Sequence, residues 1–153
     1  MKLKEKAIRA AQQIADGLDY CGVLAVEFFI STDAELLVNE IAPRPHNSGH
    51  FTLDACYSSQ FEQQLRMICG LPSASCEQHT PVAMLNLLGD SWPEKGEPAW
   101  DGIMQIERAS LHLYGKKHPR SGRKMGHINF LADDLALAIN NLELGRACLD
   151  PAC

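Results

Sequence analysis

Two glutamates, Glu27 and Glu40, carry the clearest chemical signal in the sequence. They lie in two short apolar runs, Val23 to Ile30 and Leu36 to Ile41, separated by the polar Ser31-Thr32-Asp33-Ala34-Glu35. β-Branched and aromatic residues in such runs predict strands, and the short polar interval predicts a hairpin. A turn symmetric about Asp33 and Ala34 sets Glu27 opposite Glu40. Directly opposed residues have Cβ atoms about 4.5–5.5 Å apart, and like charges there destabilise the pair. A shared proton, an intervening Lys or Arg, or a divalent cation would each offset the repulsion. Mg²⁺ characteristically takes one or two carboxylates and shares its other positions with water and phosphate oxygens. A register differing by one residue would instead send the two side chains to opposite faces, leaving one glutamate at a solvent edge.

A second group is basic. Lys116, Lys117, Arg120, Arg123 and Lys124 fall within nine residues of a chain whose formal net charge is −5. Such a segment is either a local anion pocket or a solvated basic loop. The acidic balance excludes general attraction to nucleic-acid phosphates, so a bound phosphate must be held locally. Six cysteines (Cys21, Cys56, Cys69, Cys76, Cys148, Cys153) show no Cys-x-x-Cys spacing. They read as reduced, unliganded thiols, with Cys148 and Cys153 near enough to oxidise incidentally. The opening Met1-Lys2-Leu3-Lys4-Glu5-Lys6 is neither a signal peptide nor a membrane span, and a cytoplasmic location is the default expectation.

These groups need elements to position them. Ile8, Ala11, Ile14, Ala15 and Leu18 share a helical face, and the helix should end between Gly17 and Gly22. Pro43-Arg44-Pro45 cannot continue a central strand, and a loop follows. Ser59-Gln60-Phe61-Glu62 fits a capping box, with Glu62 reaching back, and Gly70 and Pro72 supply the stop. The Pro- and Ser-rich stretch after Leu71 marks a boundary, giving a first unit over residues 1–72, a linker over 73–80 and a second unit over 81–153. In the second unit Val82 to Leu88 predicts a buried strand and Asp90 to Pro98 a loop. Met125 to Phe130 predicts a strand returning beside Leu111, Leu113 and Tyr114, hence a small antiparallel sheet. Asp133 or Asp134 can cap a final helix with Leu135, Ile139 and Leu142 on one face. The expected class is α+β: helix, antiparallel hairpin and helix, followed by a small β-rich unit with a terminal helix.

The segment Asn39-Glu40-Ile41-Ala42-Pro43-Arg44-Pro45-His46-Asn47-Ser48-Gly49-His50 resembles, almost letter for letter, the signature of carboxyaminoimidazole ribonucleotide synthetases. Gly22 to Phe29 resembles the preceding strand of that ATP-grasp family, and Ser59 to Glu62 its following helix. Tyr114-Gly115-Lys116 and Gly122-Arg123-Lys124-Met125-Gly126-His127 resemble its C-terminal substrate segment. The resemblance implies that Glu27 and Glu40 bind Mg²⁺ (or Mn²⁺) bridging ATP phosphates, with Asn39 beside them in the nucleotide site. It implies that Arg44, His46 and Asn47 line a bicarbonate and carboxyphosphate pocket. Arg44 offers a forked donor and Asn47 both donates and accepts, while His46 either relays a proton or makes a structural hydrogen bond. Lys116, Arg123 and Lys124 match residues that hold the 5′-phosphate of aminoimidazole ribonucleotide. The basic loop is one residue longer than the usual pattern, with Ser121 where Pro is common.

The implied reaction is ATP-dependent carboxylation of aminoimidazole ribonucleotide with bicarbonate, releasing ADP and phosphate. A formate-dependent glycinamide ribonucleotide transformylase, with a similar Pro-Arg-Pro-His loop, and a non-catalytic ribonucleotide-binding module are the alternatives. The family's N-terminal domain and nucleotide lid have no counterpart before Met1. The expectation is therefore a chain inactive by itself, an expressed fragment or one piece of a split enzyme, to be completed by an N-terminal half in trans. Uncovered sheet edges and apolar faces predict a homodimer or other self-association.

Overall fold

The computed structural model describes residues 2–149. Its elements are α1 (Leu3–Gly17), β1 (Ala25–Ile30), β2 (Leu36–Ala42), α2 (Thr52–Ala55), α3 (Gln60–Ile68), β3 (Val82–Leu88), α4 (Trp100–Met104), β4 (Ala109–Leu113), β5 (Lys124–Leu131) and α5 (Leu135–Cys148). Short 3₁₀ turns occupy Asn47–Gly49 and Gly89–Ser91. The α+β class is the expected one. The chain forms two compact units: one runs to Leu53 and resumes over Ser58–Cys76, and the other takes in Asp54–Tyr57 and continues from Glu77. Asp54–Tyr57 joins the second unit through backbone pairing, with Cys56 bridged antiparallel to Gln78 and the His79 N–H donating to the Ala55 carbonyl at 2.9 Å.

In the first unit, α1 turns Ala7, Ala10, Ala11, Ile14 and Ala15 partly inward against β1 and β2. Two residues expected on that face are exposed: Ile8 stands at the edge of the stripe, and Leu18 lies beyond the last helical residue, Gly17. Beyond the hairpin, Ser59 Oγ accepts the Glu62 N–H at 3.2 Å and caps α3. The other half of the expected capping box is not made, because the Glu62 carboxylate turns to Arg66, 2.7 Å away and one helical turn on. The hydrogen bond from that guanidinium holds Glu62 below the usual carboxylate range. Gly70, at φ 65°, ends the helix, and the Leu71 and Gly70 N–H groups return to the carbonyls of Arg66 and Met67, closing a left-handed C-terminal cap.

The second unit is a three-stranded antiparallel sheet in the order β3-β5-β4, covered by α5. Leu87, Ile103, Ile128, Phe130 and Leu149 form its buried core. Asp134 caps α5, its carboxylate accepting the Leu137 N–H at 2.8 Å. The helix face differs from the expected one: Leu142 packs on the core, but Leu135 and Ile139 are exposed. Ala138 and Gly145 are the buried residues of the helix, and a Cβ at Gly145 would run into the Phe130 ring. Small residues let the helix lie close to the sheet, a choice that hydrophobic spacing alone does not reveal. The short helix α4, which the Pro- and Gly-containing stretch around it hides from a periodicity reading, delivers Ile103 to the core. Cys21, Cys56, Cys69, Cys76 and Cys148 are free thiols. Cys153, and with it the expected proximity to Cys148, lies outside the described residues. Among those residues no helix is long and apolar enough to cross a membrane.

Candidate active site

The hairpin places the carboxylates by a route the sequence does not show. Its turn closes through the Ser31 N–H to the Glu35 carbonyl, 2.9 Å, and the Ala34 N–H to the Ser31 carbonyl, 3.0 Å, with Ala34 in the left-handed region at φ 57°. This pairs Ile30 with Leu36, Phe29 with Leu37 and Phe28 with Val38, one residue away from a turn symmetric about Asp33 and Ala34. The register then shifts, and Glu27 faces Glu40, Val26 faces Ile41 and Ala25 faces Ala42. Asn39 is the extra residue at the shift. A bulge sets two residues against one and re-aims a side chain, and here Asn39 Nδ2 donates to Glu27 Oε2 at 3.3 Å. The pairing of Glu27 with Glu40 is as expected, but it depends on this bulge rather than on a symmetric turn.

The loop after β2 brings a third polar group to the pair. His46 Nε2 lies 3.4 Å from Glu27 Oε1 and 3.9 Å from Glu40 Oε1. One ligand atom each from Glu27, Glu40 and His46 lies within 4.8 Å of the others, a spacing one cation could share. His46 Nδ1 lies 2.9 Å from Ser48 Oγ and 3.4 Å from the Ser48 backbone nitrogen, contacts that turn Nε2 toward the carboxylates. A ring with its proton on Nε2 supplies the donor that two opposed glutamates need when no cation lies between them. Gln60 fixes the loop backbone: its Oε1 accepts the His46 N–H at 2.9 Å and its Nε2 donates to the His46 carbonyl at 2.8 Å. Gln60 is buried and also meets His50 Nδ1 at 2.8 Å. Its role is invisible in the sequence, where it reads only as the first residue of a helix.

Arg44 and Asn47 lie on either side of His46 in the same loop. The exposed Arg44 side chain donates to the Pro45 carbonyl at 3.0 Å, leaving the rest of its guanidinium fork toward solvent. Asn47 opens the 3₁₀ turn, and its buried Oδ1 has no hydrogen-bond partner among the described residues. Such a buried acceptor is ready for a donor.

In the second unit, the basic loop runs between Gly115 and Gly122, at φ 66° and 70°. Lys116 Nζ donates to the Lys124 carbonyl at 2.5 Å and stands 5.4 Å from the centre of the Tyr114 ring. Arg123 Nη1 donates to the His118 carbonyl at 2.8 Å. Lys124 opens β5 and is exposed. Asp90, which sequence reasoning assigned only to a loop, accepts the Gly122 N–H at 2.7 Å. Hydrogen bonds from Ser121 and Gly122 hold its carboxyl below the usual range, so it stays an anion that anchors the cationic loop. Deeper in the sheet, Asp54 Oδ2 accepts from Asn129 Nδ2 at 2.6 Å and meets His112 Nε2 at 2.8 Å. The His112 ring stacks on buried His127, centroids 4.5 Å apart, and Tyr114 Oη reaches His127 Nδ1 at 3.0 Å. Burial pushes the Tyr114 hydroxyl above its ordinary value.

Residues 1–61 match the ATP-grasp domain, which gives the class of the first unit. Residues 82–141 match the phosphoribosylaminoimidazole carboxylase C-terminal domain. The N5-carboxyaminoimidazole ribonucleotide synthase of Bacillus subtilis is 49% identical over 129 residues, covering 84% of this chain and 33% of its own length. The phosphoribosylaminoimidazole carboxylase ATPase subunit from Aquifex aeolicus superposes with a TM-score of 0.87 at 39% identity, covering 98% of this chain and 45% of that one. An N5-carboxyaminoimidazole synthase from Aspergillus clavatus, solved with ADP and 5-aminoimidazole ribonucleotide, gives a TM-score of 0.75 at 39% identity, covering 84% of this chain and 35% of that one. The chain belongs to the N5-carboxyaminoimidazole ribonucleotide synthase family of ATP-grasp enzymes. It spans about a third of the length of the Bacillus relative.

Proposed function

We propose that this chain supplies the carboxylate pair, the carboxyphosphate loop and the ribonucleotide-phosphate loop of an enzyme that carboxylates 5-aminoimidazole ribonucleotide with bicarbonate and ATP. The products are N5-carboxyaminoimidazole ribonucleotide, ADP and phosphate. The observation that carries this reading is the convergence of Glu27, Glu40, Asn39 and His46 on one face of a bulged hairpin. Opposed carboxylates suit a hard cation such as Mg²⁺, which when bound neutralises charge on nucleotide phosphates. Asn39 orients Glu27 by donating to it. His46, held by Gln60 through its backbone, places Nε2 at the same centre. Arg44 supplies a planar cation for a carboxylate or phosphate, and the buried Asn47 Oδ1 accepts a donor from a bound species. Lys116, Arg123 and Lys124 bind the 5′-phosphate on a loop that Asp90 keeps in place. The same reading puts the enzyme in the cytoplasm, with self-association covering part of its apolar surface.

The test is ADP release from MgATP in the presence of bicarbonate and aminoimidazole ribonucleotide. The chain is assayed alone, then joined to the N-terminal part of the Bacillus subtilis relative. The expected outcome is little or no turnover alone and bicarbonate-dependent turnover when joined. Replacing both Glu27 and Glu40 by Gln in the joined enzyme should lower kcat at least about a hundredfold, the scale of losing groups that stabilise developing charge. Unchanged turnover in that variant, or dependence on formate in place of bicarbonate, would refute the reading.

A further inference from the structure

The basic loop of the second unit is anchored differently at its two ends. At Gly122 its backbone is held by the Asp90 carboxylate. At the other end the chain leaves β4 at Leu113, turns at Gly115 with φ 66° and brings Lys116 to the surface. The Lys116 side chain nevertheless folds back, its Nζ donating to the Lys124 carbonyl and standing 5.4 Å from the centre of the Tyr114 ring. That is inside the roughly 6 Å at which a ring face attracts an ammonium. Tyr114 is itself fixed twice. Its N–H donates to the Met125 carbonyl at 2.9 Å, prolonging the pairing of β4 with β5, and its Oη lies 3.0 Å from His127 Nδ1. His127, 1% exposed, stacks on the His112 ring with 12° between the planes, and His112 Nε2 meets Asp54 Oδ2 at 2.8 Å. Buried Asn129 donates to the same oxygen at 2.6 Å. A continuous series of contacts thus runs through the sheet from Asp54 to the Lys116 ammonium.

Burying these polar groups costs stability that apolar side chains at the same positions would not. What the series delivers is a fixed ring beside one ammonium. Burial holds the Tyr114 hydroxyl above its ordinary value, so it stays a neutral hydrogen-bonding group at neutral pH. A lysine free in a loop loses rotamer freedom when it clamps an anion, whereas one already seated loses little. We infer that Tyr114 is a positioning residue for the ribonucleotide's 5′-phosphate: its ring seats the Lys116 ammonium before the ligand arrives, and His127, braced by His112 and Asp54, fixes the ring. This deepens the carboxylation reading and rests on its assignment of Lys116 to that phosphate.

The test uses the full chain with ribose 5-phosphate as the probe, the Gly115 and Gly122 amides being followed by NMR. Lys116→Met should weaken binding at least about tenfold, the scale of one lost charge-assisted hydrogen bond. Tyr114→Leu should weaken it about fivefold, and Tyr114→Phe, which keeps the ring and loses the tie to His127, about twofold. A double-mutant cycle separates positioning from general stability. Added to Lys116→Met, Tyr114→Leu should cause no further loss, whereas added to Arg123→Met it should again cause a loss of about fivefold. In the unliganded chain the ring should shift the Lys116 ε-methylene protons upfield, a signature that Tyr114→Phe keeps and Tyr114→Leu loses. Should Tyr114→Leu fail to fold, the cycle runs with Tyr114→Phe, whose smaller loss should likewise vanish beside Lys116→Met. Equal losses at Tyr114 with and without Lys116, or ε-protons at their ordinary shift, would overturn the positioning role alone. No response of the two glycine amides to the probe, or undiminished binding by Lys116→Met, would overturn the phosphate assignment and the inference with it.

Discussion

Within this chain the two units bury different kinds of side chain. The second has a conventional core: Leu87, Ile103, Ile128 and Phe130 are fully buried, and a glycine lets a helix close over the aromatic ring. In the first, Ala42 is the one fully buried apolar residue among the described ones, and its other buried side chains, Ser58, Gln60 and Gln63, are polar. Phe29, Ile30, Leu37, Val38 and Ile41 of its hairpin are exposed, as are Leu65 and Ile68 of α3. Within this chain, which spans about a third of the Bacillus relative, hydrogen bonds of buried polar side chains order the loops of the first unit, and apolar burial orders the second. The glutamate pair and its histidine lie in the first unit. Hydrogen bonds fix where a polar group points more sharply than burial does, but each contributes only about 1 kcal/mol net, against about 1.5–3 for a buried large side chain.

The contrast can be broken at either end. Gln60→Leu should have the largest effect, because it strands the His46 N–H and carbonyl in a partly buried loop. At about 1–3 kcal/mol for each group left unsatisfied, we expect a loss of at least about 2 kcal/mol in the first unit, read as faster hydrogen exchange at residues 46–50. Gly145→Ala should act on the second unit alone. The added methyl meets the Phe130 ring, and overpacking of that kind costs about 1–3 kcal/mol, measured as a lower denaturant midpoint for β3, β4 and β5. Native-state hydrogen exchange on the unaltered chain should show the hairpin β1–β2 opening before β5, since its strands bury fewer apolar groups. Equal protection in the two would mean that burial is not what separates them.

Smaller effects sharpen the picture. Ala34→Gly relieves an L-residue at φ 57° and should stabilise the hairpin by up to about 1 kcal/mol, seen as slower exchange in β1 and β2 with no change in β5. Asp90 has a folded value below the unfolded one of about 3.9. Its contribution to holding the basic loop is thus fully present above that value and lost as pH falls through the lower folded value. Asp90→Asn should remove this acid-range transition in loop amide shifts and loosen the loop at neutral pH, seen as faster exchange of the Gly122 amide.

Much of this architecture is written locally. The apolar runs around Glu27 and Glu40, the Pro-Arg-Pro break, the Ser59 cap and the Asp134 cap each depend on residue type over a few positions, and each element appears where those residues put it. The match of residues 39–50 to a family signature likewise needs no coordinates. Choices that depend on distant partners were not legible. The turn register and the compensating bulge at Asn39 are a joint solution of turn closure and strand pairing, and the sequence shows only their sum. Glu62 had two partners within reach, and Arg66 won because an ion pair one turn along the helix competes with the return to the cap. The buried face of α5 was set by the shape of Phe130 beneath it, and the tie of Asp54 to His112 and Asn129 by residues more than fifty positions away. Sequence by itself determined which groups are available and which local elements carry them. Tertiary structure decided which of those groups meet, because the distance between two side chains is fixed by packing and pairing summed over the whole unit.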